Sequence, residues 1–490
     1  MSSAAQTGPA PTDNRALVAV DLGAESCRVA LLRWVDGTPH IQMVHRFPNG
    51  PVHSADGSLR WPLEAITIGV DHGLRLCAEL APEGIRSVAV DGWAVDYVRI
   101  DAERKPLAPP FCYRDERNVE SMQKLHERIS PERLRSITGL QLQQINTLYQ
   151  LYADRLAKAP AGNCWLNLPE YLLAHWGGKA VAEYTMATHT QMVQLETNSW
   201  SREILHEAGI DLGSMPKLVP PGTRLGHIHG DVTALPALQN TELIAPACHD
   251  TASAIAGIPA SGNDWGYISI GTWSLVGTLV DRACNGPLAS VEQFTNLGGV
   301  GDRLLFQKNM NGMWLLKQCM DQWAASGHPW EIGDLVAAAE LAPRPEALLD
   351  IDDPELLKTG DMPSRINVQR RAKGYKEMDE SAANAPAIAS LIFHSLAARY
   401  ASLFARIEQL TLKKLSRIFV VGGGSRNSFL LRLTAEATGK QIFAASPESS
   451  IVGNFAVQLS ALELDLPGNT EEFGVATSSW AAILSKHGSF

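Results

Sequence analysis

The 490-residue sequence has no C-x-x-C pair among its seven cysteines, which stand apart at positions 27, 77, 112, 164, 248, 284 and 319. An odd, dispersed set argues against a disulfide framework and suits reduced thiols, so a cytoplasmic setting is expected. There is no H-E-x-x-H pair either, which leaves no zinc pattern. G-x-S-x-G, G-x-G-x-x-G and a Walker G-K-[ST] are all missing, so no serine-hydrolase elbow, dinucleotide fingerprint or P-loop is indicated. No apolar run approaches the about 18 residues of a membrane span. Basic residues are outnumbered, 42 Lys and Arg against 52 Asp and Glu, for a net charge of -10. No basic stripe appears, so neither nucleic acid nor a membrane is an expected partner, and a monomer is the expected state. Residues 1–15 are mostly Ser, Ala, Thr, Pro and Asn, with no charged-then-apolar signal pattern, and are expected to form a disordered tail.

What is present suits an enzyme of several domains. Hydrophobic residues make up 45% and charged residues 19%, enough for a full core in each half. At about 150 residues per domain the length implies two to four. Two glycine turns of one kind recur. The first follows Leu17-Val18-Ala19-Val20-Asp21-Leu22 and reads Gly23-Ala24-Glu25-Ser26, ahead of Cys27-Arg28-Val29. The second follows Tyr267-Ile268-Ser269-Ile270 and reads Gly271-Thr272, ahead of Trp273-Ser274-Leu275. Such a turn is either an ordinary hairpin or an anion cradle of backbone N–H groups and hydroxyls. Two copies in two halves suggest a duplicated domain with a cleft between, where both turns could hold nucleotide phosphates.

Other segments carry candidate chemistry. Ile85 to Val90 reads as a strand ending in Asp91-Gly92-Trp93-Ala94, with a second short strand from Val95 to Val98. Ser130-Pro131 opens a helix. An apolar strand from Glu242 leads to His249-Asp250-Thr251 and a small-residue helix, and 258–264 reads as a linker. At that helix start Asp250 is either a cap or a carboxylate kept ionised to accept a proton from a hydroxyl. Asp21, at the end of its strand, is a turn residue or a ligand for Mg²⁺; Asp91 and Asp96 are weaker candidates of the same sort. Residues 350–381 are dense in charge and read as a surface excursion. Ile388, Ile392, Leu396, Tyr400, Leu403, Ile407 and Leu410 recur at helical spacing. The strand from Arg417 to Val421 is followed by the turn Gly422-Gly423-Gly424-Ser425, then a helix from about Asn427 to Thr438 closed by Gly439 and a strand from Gln441 to Ala444, a β-α-β unit with the triple glycine at the helix N-terminus. The glycines either let a ligand touch backbone or make a tight turn.

Taken in order, these segments resemble the FGGY carbohydrate kinase family of the actin/hexokinase-like superfamily, and within it the rhamnulokinase branch. The resemblance covers about Leu17 to Leu464 and rests on Val18 to Ala24, Asn146 to Leu151, His249 to Ala254, Gly271 to Leu275, Gly312 to Leu316 and Val421 to Gly424. It implies an α/β fold of two duplicated ribonuclease H-like (actin/hexokinase-type) domains around a cleft. Residues 16–257 would form the sugar-side domain and 258–490 the nucleotide-side domain. It also implies ATP as co-substrate, Mg²⁺ as cofactor and a small ketose as acceptor. By the resemblance Asp250 is the proton acceptor, and Ala94, His249, Asp250, Thr251 and Asn309 line the sugar. Ala24, Glu25, Ser26, Cys27, Arg28, Thr272, Lys317 and Gly423 meet ATP, and Asp21 lies near the metal.

The sequence departs from the family at several of these positions. Glu25 and Cys27 stand in a phosphate turn that usually reads Ser-Ser-Gly-Arg. Ala94 replaces a glycine at the sugar wall, His189 a threonine, and Lys317 a glutamine; Asn311 also differs. The implied reaction moves the γ-phosphoryl of ATP to the 1-hydroxyl of L-rhamnulose, in L-rhamnose catabolism. The alternatives are another ketose kinase of the family, such as one for L-fuculose, or a non-catalytic sugar- or nucleotide-binding regulator.

Overall fold

A computed structural model describes residues 11–487. The first ten residues of the expected tail lie outside that range. By compactness the chain divides into two units. One holds residues up to Ser261, Val280–Phe306 and Glu448 onward; the other holds Gly262–Leu279 and Gln307–Pro447. The division falls inside the expected linker at 258–264. The segment from Glu448 on, read from sequence with the C-terminal domain, belongs to the first unit.

The first unit is built on a six-stranded sheet. Its strands are β1 (Ala16–Leu22), β2 (Ser26–Val35), β3 (Thr38–Pro48), β4 (Ile85–Gly92), β5 (Thr223–His227) and β6 (Glu242–Ala245), in the order β5-β6-β4-β1-β2-β3. β1 runs antiparallel to β2 and parallel to β4, which is parallel to β6. The second unit repeats the plan with β7 (Trp265–Ile270), β8 (Trp273–Val280), β9 (Leu304–Asn311), β10 (Arg417–Val421) and β11 (Gln441–Ala444), in the order β9-β8-β7-β10-β11. There β7 is antiparallel to β8 and parallel to β10, and β10 is parallel to β11. One connectivity in both halves is the duplicated α/β class expected from the paired turns.

Alternation along β1 decides what the first unit can place at its strand ends. Val18, Val20 and Leu22 join one apolar core and Leu17 and Ala19 join another on the opposite face. Side chains two apart share a face, so Asp21 falls on the Leu17–Ala19 side. That side is covered by the helix Ser449–Glu463, whose Ile451, Val452, Phe455 and Leu459 pack there. Ala89 has the same facing on β4, and Asp91 follows it two residues on.

Several local readings hold. Ser130 accepts the Arg133 amide at the start of Pro131–Thr138. The long helix spans Ala385–Thr411, and Asn427 caps Ser428–Thr438, which Gly439 closes at φ +66°. The helix Ala382–Thr411 has a mean hydropathy of 1.3 in its most apolar window, enough by length and composition to cross a membrane, but 67% of that window is buried inside the protein. The apolar residues are there although no unbroken run of them is. The 350–381 segment is not simply a surface excursion: Met362–Ala372 is a helix that buries Met362 and Ile366. Their charged neighbours face out and dominate the composition. Between β10 and the following helix the glycines run into a 3-10 turn, Gly423–Arg426, and the helix starts at Ser428, within a residue of the expected Asn427.

Candidate active site

In the first unit two buried carboxylates, Asp21 and Asp91, stand at the ends of β1 and β4. Asp21 and Asp91 are register partners across the two parallel strands. Asp21 is 2% exposed. Its Oδ2 accepts from Arg28 Nη1 at 2.7 Å and from Ser450 Oγ at 2.6 Å. Burial raises its pKa above the ordinary carboxylate value, and the Arg28 charge works against that rise. Asp91 is wholly buried and accepts from Asn454 Nδ2 at 2.6 Å, while its Oδ1 has no partner. Burial and the Asp21 charge push its pKa up further. Asn454 Oδ1 in turn accepts from Gln458 Nε2 at 2.7 Å, and Gln458 also holds Val18 and Ser87.

Ser450, Asn454 and Gln458 were not singled out from sequence. Their i, i+4, i+8 spacing puts them on one face of an otherwise apolar helix. That polar stripe was the signal available.

Asp250 opens the helix Asp250–Ala256, with His249 as the preceding cap residue. Its Oδ1 accepts from the Thr251 amide at 2.5 Å and hydroxyl at 3.2 Å, and lies 3.3 Å from His249 Nε2. Although 37% of its side chain reaches solvent, the carboxylate is desolvated enough to be pushed up to about 6. His249 is buried, which brings its pKa down to about 3, so the imidazole is neutral at pH 7. With the proton on Nε2 it donates to Asp250, and Nδ1 is left as a buried acceptor without a partner.

The Asp250 helix is pressed against Ser449–Glu463. A Cβ on Gly453 would lie 1.7 Å from the Ser253 carbonyl oxygen, and one on Gly257 would lie 2.3 Å from that of Ser449. Ser253 Oγ donates to the Ser450 carbonyl at 3.1 Å. One helix crossing therefore sets Asp250 and Ser450 together.

Ala94 is half-buried beside Val95, whose φ is +75°. A β-branched residue there is strained. Its carbonyl is held by Thr147 Oγ1 at 2.7 Å and Gln150 Nε2 at 3.2 Å. Asp96, next in sequence and wholly buried, accepts from Trp61 Nε1, Trp93 Nε1 and Gln150 Nε2 at 2.5, 3.0 and 3.0 Å. These contacts fix the loop that carries Ala94, so Asp96 is a buried anchor rather than an exposed metal candidate.

The first glycine turn is tight: a Cβ on Gly23 would lie 2.4 Å from the Ser26 carbonyl oxygen. Glu25 is exposed. Cys27 is fully buried in the core, with its thiol pushed up to about 12, so only its backbone can serve a ligand. Arg28, expected at phosphate, is ion-paired to Asp21 with its side chain 26% exposed.

In the second unit Thr272 sits exposed in its turn, and its carbonyl accepts the Trp314 amide at 3.0 Å. Gly312 is forced by that turn, since a Cβ would lie 2.6 Å from the Trp273 carbonyl carbon. Asn309 Oδ1 and Asn311 Oδ1 are both buried without a partner, while Asn311 Nδ2 donates to the Ile351 carbonyl at 3.0 Å. Lys317 is exposed and paired with Asp321 at 2.6 Å. Gly422 has φ +80°, whereas a Cβ on Gly423 would meet nothing within 4 Å. Open space is therefore found at Gly423 alone of the three glycines.

Models of the FGGY family of carbohydrate kinases match both halves, the N-terminal domain over residues 16–257 and the C-terminal domain over 266–462. The chain is 34% identical to a rhamnulokinase of Enterococcus faecalis over 455 residues, covering 92% of this chain and 90% of that one. It is 32% identical to one of Bacteroides thetaiotaomicron, covering 90% and 89%. Among solved structures it is similar to a xylulose kinase of Lactobacillus acidophilus, with a TM-score of 0.75, 17% identity, and 94% and 91% of the two chains covered. It is also similar in fold to the Plasmodium falciparum glycerol kinase with ADP, with a TM-score of 0.68, 11% identity, and 90% and 88% covered. With both domain models matched in order and relatives above 30% identity along nine-tenths of its length, the chain belongs to the FGGY family of carbohydrate kinases.

Proposed function

We propose that the chain transfers the γ-phosphoryl of ATP to the 1-hydroxyl of L-rhamnulose, giving L-rhamnulose 1-phosphate and ADP, as a step of L-rhamnose catabolism. The observation that carries the chemistry is the Asp250 carboxylate, whose pKa of about 6 suits a base working near neutrality. Its protein hydrogen bonds gather on Oδ1, so Oδ2 is the oxygen that takes the substrate proton. The choice of sugar rests on the rhamnulokinase relatives.

Phosphoryl transfer asks mainly for positioning and charge stabilisation. Asp250 orients the sugar hydroxyl and accepts its proton. His249, held neutral, keeps Asp250 in place and offers Nδ1 to the sugar, together with Thr251 and the wall at Ala94; the resemblance to the family gives Asn309 a sugar contact as well. The backbone of 24–28, with Ser26 and Arg28, receives phosphate, and Thr272, Gly423 and Lys317 serve the nucleotide. Among the described residues no group of three or more His, Cys, Asp or Glu is arranged to hold a metal. That fits Mg²⁺, which typically keeps its waters and takes one or two carboxylates plus phosphate oxygens. Asp21 would hold it through water, with the unpartnered Asp91 Oδ1 close behind. When bound, the ion would neutralise charge on the transferring phosphates. The seven free cysteines agree with a reducing, cytoplasmic setting.

The test is ADP release with L-rhamnulose, L-fuculose, D-xylulose, L-ribulose and glycerol. L-Rhamnulose should give the highest kcat/KM. Another sugar ahead by more than about tenfold, or about 1.4 kcal/mol in transition-state binding, would overturn the sugar while leaving the kinase. ADP release with none of them would overturn the reaction.

A further inference from the structure

Four buried polar atoms without a protein partner sit on three residues: His189 Nε2, both amide atoms of Gln191, and His249 Nδ1. The two imidazoles meet edge to face with centroids 4.2 Å apart. His189 ends the short helix Tyr184–His189. The segment is pinned by its backbone. The His189 carbonyl accepts from Asn146 Nδ2 at 3.0 Å, and the Thr190 carbonyl accepts from the Leu148 amide at 3.0 Å. Gln191 follows, wholly buried and held at φ +65°. At the other end of the same helix Glu183 behaves differently. It spends its oxygens on the Thr185 amide and hydroxyl and on the Cys248 amide. Buried polar groups in proteins are nearly always partnered. Here the unspent His189 Nε2 lies on the ring that meets His249, and the unspent Gln191 amide follows two residues on in the chain.

We propose that His189 is a sugar-recognition residue: its Nε2 hydrogen-bonds a ketose hydroxyl remote from the one phosphorylated, with the Gln191 amide as the next donor–acceptor pair. This deepens the kinase reading above and rests on it. A neutral imidazole and an amide each offer one donor face and one acceptor face, which matches a hydroxyl. Neither offers a cation, so the ligand they fit is an uncharged polyol and not a sugar acid or phosphate.

The test is steady-state kinetics of the full chain with L-rhamnulose and its 3-, 4- and 5-deoxy analogues. His189→Phe keeps a ring against His249 but removes the hydrogen bond; His189→Gln keeps a bond of similar reach. The Phe variant should raise the sugar KM about tenfold with the ATP KM changed less than about twofold, and the Gln variant should recover most of the loss. One deoxy analogue should be penalised by the wild type and not by the Phe variant. Gln191→Met, which removes both amide atoms at similar volume, should raise the sugar KM in the same sense and stands in if the Phe variant does not fold. A Phe variant with wild-type sugar KM, or a penalty spread equally over all analogues, overturns the inference alone. A wild type that turns over no ketose overturns the reading beneath it, and the inference with it.

Discussion

Ser450 Oγ donates to Asp21 Oδ2 at 2.6 Å, joining residues 429 apart in sequence. Asp21 is the last residue but one of the first strand of the first unit, and Ser450 lies in the first turn of a helix that packs in the same unit. The C-terminal segment therefore supplies a partner for the carboxylate nearest the expected metal. The same helix bonds Asp91 through Asn454 and presses on Asp250–Ala256 through Gly453, so it positions all three carboxylates of the first unit's site.

Ser450→Ala should therefore weaken metal use more than sugar use. It removes one hydroxyl donor and leaves Arg28 as the sole partner of Asp21 Oδ2. A hydrogen bond to a charged group contributes about 1.5–3 kcal/mol, so the Mg²⁺ concentration for half-maximal rate should rise on the order of tenfold. The sugar KM should stay near wild type. A Mg²⁺ titration identical to wild type would show that Ser450 is packing only.

Asp250→Asn should lower kcat by about 10²–10⁴-fold, the usual cost of losing a positioned base, with both KM values nearly unchanged. The wild-type pH profile follows from the same group. Its pKa is raised to about 6 and the base must be deprotonated, so kcat/KM should be level above about pH 7 and fall below about pH 6. His249 adds no step between, because burial keeps it neutral down to about 3. An Asn variant retaining more than a small fraction of wild-type kcat would remove Asp250 from the chemistry.

The parts of the site legible in sequence were those written within one stretch of chain. Asp250 stood at a visible strand-to-helix change, and the paired turns forecast the repeated sheet. Ser450, Asn454 and Gln458 were missed because their partners lie 429, 363 and more than 370 residues away, and no local pattern names a partner. Segment 350–381 was misread because composition counts outward-facing charges as heavily as the buried Met362 and Ile366, one turn apart. Asp96 was grouped with Asp21 as a weaker candidate for the metal. Its two indole donors, Trp61 and Trp93, are visible only once the loop is folded.

Asp96→Asn should destabilise the protein and disturb the sugar side. The aspartate takes three donors on two oxygens; an asparagine must turn its amide against one of them, and Gln150 cannot turn without losing the Val95 and Ile145 carbonyls. An unsatisfied buried donor costs about 1–3 kcal/mol, and the strained Val95 should relax and carry Ala94 with it. The sugar KM should rise while the ATP KM holds. Burial also raises the Asp96 pKa to about 6, so its contribution to stability is full below the unfolded value of about 3.9 and is lost as pH rises through about 6. The variant should therefore flatten the stability–pH curve over that window. Denaturant melts from about pH 4 to 7 decide it; an unchanged slope means Asp96 does not titrate there.

The three glycines at the end of β10 should separate into two kinds. Gly422 adopts φ +80°, and a Cβ there would lie 2.8 Å from the Ile270 carbonyl oxygen. Gly424 would bring a Cβ to 2.2 Å from Ile270 Cγ2. Alanine at either should cost roughly 1–3 kcal/mol of stability, from backbone strain or overpacking. Gly423 has neither restraint: its φ is outside the left-handed region and a Cβ would meet nothing within 4 Å. Gly423→Ala should therefore melt within about 0.5 kcal/mol of wild type. If nucleotide lies against its backbone, the added methyl should still weaken ATP binding several-fold without touching sugar affinity. Thermal melts and ATP calorimetry on the three variants test both halves. A Gly423→Ala protein with wild-type ATP affinity would mean that the turn is there for Gly422 and Gly424, whose reasons are packing alone, and that the nucleotide is held elsewhere.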